Sequence, residues 1–105
     1  MIVVVGRVKT DAEKRDALIG VGQAVAAASR AETGCISHRL YEDTELENEF
    51  VFVEEWENGD ALQAHFATAH VRDFVRAIPI TIIAPPEVKF HTIAGTMDLA
   101  DVTAG

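Results

Sequence analysis

The spacing of apolar and polar positions divides this chain into six segments and a tail. Ile2 to Val8 is a β-branched run bounded by polar residues, the composition of a strand covered on both faces. From Asp11 to Ala31 the pattern changes to Ala, Glu, Lys and Leu. Leu18, Val21, Val25 and Ala28 recur at three- and four-residue spacing, which predicts an amphipathic helix capped by Thr10 or Asp11. Gly20 and Gly22 interrupt it, each at a cost of about 1 kcal/mol relative to Ala. Two readings of these glycines stay open: something packs closely there, or tertiary contacts merely tolerate them. Gly34 ends the connection, and Cys35 to Glu42 resumes a strand pattern rich in Ile, Leu and Tyr. After the polar turn Asp43 to Asn48, the strand Glu49 to Trp56 follows closely enough to form an antiparallel hairpin. Asn58 or Asp60 caps a helix over about Ala61 to Ala67, and Thr68 offers a new N-cap for a stretch through Ile78, so this second helix is read as broken. Pro79, Pro85 and Pro86 bracket an irregular crossover. Glu87 to Ile93 then alternates as a final strand, and the tail from Gly95 to Gly105 reads as loosely ordered.

The order β-α-β-β-α-β is the split βαβ arrangement of an α+β, ferredoxin-like fold: an antiparallel sheet with both helices on one face. Residues 1–95 make up one such domain, with 96–105 as the C-terminal tail. The other face of the sheet, carrying Val51 and Val53 and with them Val3 and Val5, is apolar on a scale that soluble monomers rarely expose. A two-fold pair of sheets covers it, so a homodimeric α+β barrel is expected.

Length and charge remove several classes. The 105 residues leave no room for a second domain of ordinary size. A net charge of −8, from 17 acidic and 9 basic side chains, repels a phosphate backbone, so no nucleic acid partner is expected. The acidic residues are scattered and read as a solubilising surface rather than as a site for a cationic ligand. Cys35 is the single cysteine and has no partner for an intrachain disulfide, which fits a reducing, cytoplasmic setting. No apolar stretch approaches membrane-spanning length and no secretory signal opens the chain, so no membrane association is expected.

The chemistry-bearing residues gather around the third strand. A period of two places Phe50, Phe52, Glu54 and Trp56 on one face, so Glu54 is a carboxylate among aromatics. Such a group finds donors or takes up a proton; it is either a polar anchor in a pocket or a strand-end carboxylate paired with a backbone amide or an Arg. Trp56 either walls an aromatic pocket or fills the core. His65, beside Phe66, lies within reach of Glu54, and a Glu–His pair either tunes an imidazole for proton transfer or is a structural hydrogen bond. His70 and Phe74 share a helix face. His38 is grouped with Ile36 and Leu40, and His91 alternates with Phe90; each is free to face a cleft or a dimer seam. The five-residue step from His65 to His70 turns the helix about 140° beyond a full turn and separates the rings, so no metal site is expected there. No glycine-rich phosphate loop, GxSxG elbow or CxxC pair occurs, which removes nucleotide cofactors and the standard nucleophiles.

Five ordered pieces, Glu32-Thr33-Gly34-Cys35-Ile36, Leu40-Tyr41-Glu42-Asp43, Glu54-Glu55-Trp56, Ala61-Leu62 with His65, and His70-Val71-Arg72-Asp73-Phe74, give the chain a resemblance to the antibiotic biosynthesis monooxygenase family over about Met1 to Ile93. The resemblance implies a dimeric α+β barrel with a pocket between helices and sheet in each subunit. It also implies oxygenation of a quinol-like or polycyclic aromatic small molecule with no cofactor, neither metal nor flavin. By the same resemblance His65 and Glu54 handle the proton, Phe52, Phe66, Phe74 and Trp56 wall the pocket, and His70 lies beside the substrate. Phe52 and Leu62 stand where the polyketide-type oxygenases of the family offer Asn and Tyr donors, which disfavours anthrone oxidation. Val4-Val5-Gly6-Arg7 lacks the first-strand Asn of the heme-degrading branch. Two alternatives remain: an isomerase of a small phosphorylated carbonyl compound, with Arg39, Arg72 or Lys89 as anion anchor, and a non-catalytic small-molecule-binding dimer.

Overall fold

The computed structural model describes residues 1–104. Strand β1 (Ile2–Lys9) leads into helix α1 (Arg15–Arg30), then the hairpin of β2 (Cys35–Glu42) and β3 (Glu49–Trp56). Helices α2 (Gly59–Phe66) and α3 (Ala69–Ala77), a 3-10 turn at Ile78–Ile80, strand β4 (Glu87–Thr92) and a short helix α4 (Leu99–Thr103) complete it. The sheet order is β2-β3-β1-β4, every neighbouring pair antiparallel, which is the expected split arrangement.

Register decides what faces the helices. One rung across the sheet runs His38, Glu54, Val4 and Phe90; the next runs Leu40, Phe52, Gly6 and Val88. On this face Val8, Phe50 and Phe52 pack with Leu18 and Val25 of α1 and with Ile78, while Val4 and Trp56 pack with Leu62 of α2. Trp56 and Leu18 are fully buried. Burying side chains of this size contributes about 1.5–3 kcal/mol each, and this layer is the main apolar contribution to the fold.

The buried stripe of α1 runs Leu18, Gly22, Val25, Ala26 and Ser29, with Val21 and Ala28 only half-buried, so the helix is rotated slightly from the expected stripe. A Cβ at Gly22 would lie 2.7 Å from Leu40 Cδ2 and 3.1 Å from Phe52 Cζ, whereas one at Gly20 would meet nothing within 4 Å. The glycine question therefore divides: close packing at Gly22, tolerance at Gly20. The helix begins at Arg15 rather than near Asp11 because Asp11 Oδ1 accepts from the Lys14 amide at 3.0 Å and closes a separate turn first. Thr10 does not cap it; its hydroxyl donates to the Thr81 carbonyl at 2.6 Å.

The second helix breaks where expected. Asn58 caps α2 by accepting from the Ala61 amide. Thr68 Oγ1 accepts from the Val71 amide to start α3 and donates at 2.7 Å to the His65 carbonyl at the end of α2. The tail differs from expectation: Asp98 and Asp101 form a reciprocal capping box that starts α4, a local signal read as loose order in the sequence. The last tail residue, Gly105, lies outside the described residues.

Candidate functional site

The helix-facing rungs enclose a cavity of about 720 Å³ between α3, the segment after it, and the β1-β4 side of the sheet. Gly6 contributes no side chain to its floor, and Val4, Phe52, Phe66, Phe74, Ile78, Val88 and Phe90 line it. Phe52 meets Phe74 edge-to-face with ring centroids 5.3 Å apart, and Phe66 meets Phe90 at 6.0 Å. The polar side chains among the lining residues are His38, Glu54 and His65.

Glu54 sits on the helix face, its Oε1 accepting from Trp56 Nε1 at 3.0 Å. Trp56 itself is not among the lining residues, so its ring fills the core while its N–H holds the carboxylate from behind. Burial pushes the Glu54 pKa up, the Trp56 hydrogen bond and His65 oppose that, and Glu32 adds to it.

His65 does lie beside Glu54, but not hydrogen-bonded to it: the Nε2–Oε1 separation is 3.6 Å. Its partner is Glu32, whose Oε2 stands 2.7 Å from His65 Nδ1 and 2.8 Å from His70 Nε2. The two imidazoles expected to diverge therefore converge on one carboxylate, because the chain turns at Thr68 instead of continuing as one helix. Nδ1 is the His65 nitrogen paired with Glu32, which leaves Nε2 on the Glu54 side of the ring. The His65 ring also packs on Trp56, with centroids 4.4 Å apart. His70 is outside the cavity lining and braces Glu32.

Two residues of this cluster were given no role in the sequence reading. Glu32 appeared only as the first letter of the Glu32-Thr33-Gly34-Cys35 motif. Its loop is pinned because Gly34 adopts φ +84° and a Cβ there would lie 2.5 Å from Ala61 Cβ, pressing on α2. His38 was grouped with Ile36, but a bulge between Cys35 and Ser37 removes Ile36 from the alternation, leaving Ile36 exposed and His38 opposite Glu54. His38 is 2 % exposed, and its Nδ1 is buried with no hydrogen-bond partner. Burial first, then the neighbouring His65 and Arg30, lower its pKa to about 4. His91 points the other way, from β4 into the outer face beside Val5 and Lys89. The three basic residues weighed as anion anchors, Arg39, Arg72 and Lys89, do not line the cavity.

A family model described as Antibiotic biosynthesis monooxygenase matches residues 1–77. The chain belongs to the antibiotic biosynthesis monooxygenase family. Among curated relatives, an uncharacterized protein of Synechocystis, sll1783, is 40% identical over 98 residues, covering 93% of this chain and 67% of the relative. YcnE of Bacillus subtilis, whose provisional name is that of a monooxygenase, is 35% identical over 88 residues, covering 84% of this chain and 93% of its own. Among solved structures, a Deinococcus radiodurans protein provisionally described as an antibiotic biosynthesis monooxygenase superposes with a TM-score of 0.89 at 22% identity. That match covers 94% of this chain and 98% of the other, and at such identity it speaks for the fold alone. Rv0793 from Mycobacterium tuberculosis gives a TM-score of 0.85 at 25% identity, over 92% of this chain and 98% of its own. The family recognised from the motifs is thus the family found, and the antibiotic biosynthesis monooxygenase fold sets the polar cluster at one end of an apolar chamber.

Proposed function

We propose that this chain is a monooxygenase that oxidises a quinol-like or aromatic small molecule with O₂, drawing its electrons from the substrate. The observation that carries this is the aromatic-walled cavity of about 720 Å³ whose polar side chains, His38, Glu54 and His65, stand together. A volume of that size suits a small multi-ring molecule. In such a chamber a phenolic substrate gives its proton to His65 Nε2, with Glu32 holding the imidazole through Nδ1. The anion left behind is electron-rich and held against apolar walls, the condition under which it reacts with O₂. Glu54, pushed toward its protonated form by burial, is placed to return a proton.

The phosphorylated-substrate alternative lacks support, since no Arg or Lys lines the cavity. A ligand-free, core-filled pocket would have supported the non-catalytic reading, and the cavity is open instead. We further read the protein as a cytoplasmic homodimer, supported by the lone Cys35 and by the half-buried Val3, Val5, Val51 and Val53 on the helix-free face.

Oxygen uptake measured with a panel of hydroquinones and anthrones tests the oxygenase reading. The expected result is turnover that falls by a factor on the order of 10²–10⁴ in His65→Ala, the usual range for a lost general base. Wild-type uptake no greater than that of the variant overturns it.

A further inference from the structure

Three candidate ligand atoms converge at the polar end of the cavity without a hydrogen bond among them. His38 Nε2 lies 3.4 Å from Glu54 Oε1 and His65 Nε2 lies 3.6 Å from the same oxygen. One ligand atom from each of the three residues falls within 4.8 Å of the other two. Those separations exceed the usual 2.7–3.2 Å of a nitrogen–oxygen hydrogen bond. His65 Nδ1 has its partner in Glu32 and Glu54 Oε1 has its partner in Trp56 Nε1, so neither group is paired to the other.

We propose that His38, His65 and Glu54 bind one divalent first-row transition-metal ion, of the zinc(II) or iron(II) class, at the polar end of the cavity. Metal–ligand bonds of about 2.0–2.1 Å in tetrahedral array hold neighbouring donor atoms about 3.4 Å apart, close to the 3.4 and 3.6 Å between Glu54 Oε1 and the two imidazole nitrogens. Two imidazoles and one carboxylate on a single side of an ion leave its remaining positions open, and here they open onto the aromatic chamber. The second group of candidate ligands, Glu32, His65 and His70, does not compete. Its contacts of 2.7 and 2.8 Å are hydrogen-bond lengths, too short to admit an ion between donor atoms.

Two of the three ligands have the outer hydrogen bonds that a metal site uses. Glu32 orients His65 through the ring nitrogen that does not face the cavity, and Trp56 holds Glu54, the two outer supports that fix ligand direction and basicity. His38, buried to 2 % exposure, turns Nε2 toward Glu54 Oε1, while its own Nδ1 has no outer partner. An ion there offers its open positions to an anionic oxygen on an aromatic ligand and acts as a Lewis acid.

Metal binding is measured without substrate, and because an ion on His65 Nε2 occupies the lone pair that the oxygenase reading uses for the phenolic proton, oxygen uptake is measured on the chelator-stripped chain. Chelator-stripped full-length protein is titrated with Zn²⁺ by calorimetry and with Co²⁺ by visible absorption. The expected result is one ion per chain and intense Co²⁺ ligand-field bands of a low-coordinate site. Affinity should fall by roughly 100-fold or more in His38→Gln and in Glu54→Gln, and by about 10–100-fold in Glu32→Gln, the range for an outer-support residue. His91→Gln, on the opposite face, should leave it unchanged. Absence of binding by the wild-type chain, a weak six-coordinate Co²⁺ spectrum, or affinity that survives both His38→Gln and Glu54→Gln overturns the proposal. Should those variants fail to fold by circular dichroism, the wild-type Co²⁺ spectrum decides alone. A chain that binds the ion without consuming O₂ refutes only the oxygenase reading; one that consumes O₂ but binds no ion refutes only this inference.

Discussion

Protonating His38 works against the fold. Its pKa is lowered to about 4 by burial and by His65 and Arg30, against 6.5 for an exposed imidazole. Between those values the unfolded chain takes up a proton that the folded chain refuses, so stability attributable to His38 is complete above about pH 6.5 and is lost as pH falls toward 4. The full difference is on the order of 3 kcal/mol. Glu54 acts oppositely, since its raised pKa makes the folded chain bind a proton more readily. Comparison with His38→Gln in metal-free protein isolates the imidazole: urea denaturation from pH 7 to 4.5 should show a steeper loss for wild type than for the variant. Equal slopes would refute the assignment. Single residues were legible in the sequence where strand period alone placed them. Phe52, Glu54 and Trp56 share a face as the alternation requires, whereas His38 depended on a bulge that alternation does not encode, and Glu32 on a loop geometry set by Gly34 and Ala61.

At the level of elements, the strands and both helices of the core follow from periodicity, and Asn58 and Thr68 do cap the helices they precede, while neither cap expected for α1 is used. What the helical pattern of α1 does not reveal is which glycine is needed. Gly20→Ala, with open space where the new Cβ goes, should raise stability by about 0.4–1 kcal/mol. Gly22→Ala drives a Cβ into Leu40 and Phe52 and should lower it by about 1–3 kcal/mol. Thermal unfolding of the pair checks this, and the same sign for both would contradict the packing described. The turn between α2 and α3 likewise overrode a correct but inapplicable rule: five residues diverge on one helix, yet His65 and His70 meet because Thr68 ends one helix and begins another.

The whole molecule keeps its helices on one side, leaving the outer sheet face with Val3, Val5, Val51 and Val53 half-buried. Ser37 donating to Glu55 at 2.6 Å is a polar feature of that same face. Sedimentation should show twice the chain mass, and Val53→Lys, which sets a charge in the middle of the face, should shift the species toward the single chain. A wild-type monomer would remove the pairing. The sheet also divides its labour from side to side. Its middle strands, with Phe50 and Trp56 of β3 and Val4 of β1, hold the fold together, while the edge strand β4 carries Val88 and Phe90 half exposed at the cavity wall. Substitutions along that edge change what the chamber admits while sparing the buried layer. A lineage is free to drift there in what the chamber accepts, its fold and its His38, Glu54 and His65 cluster inherited intact.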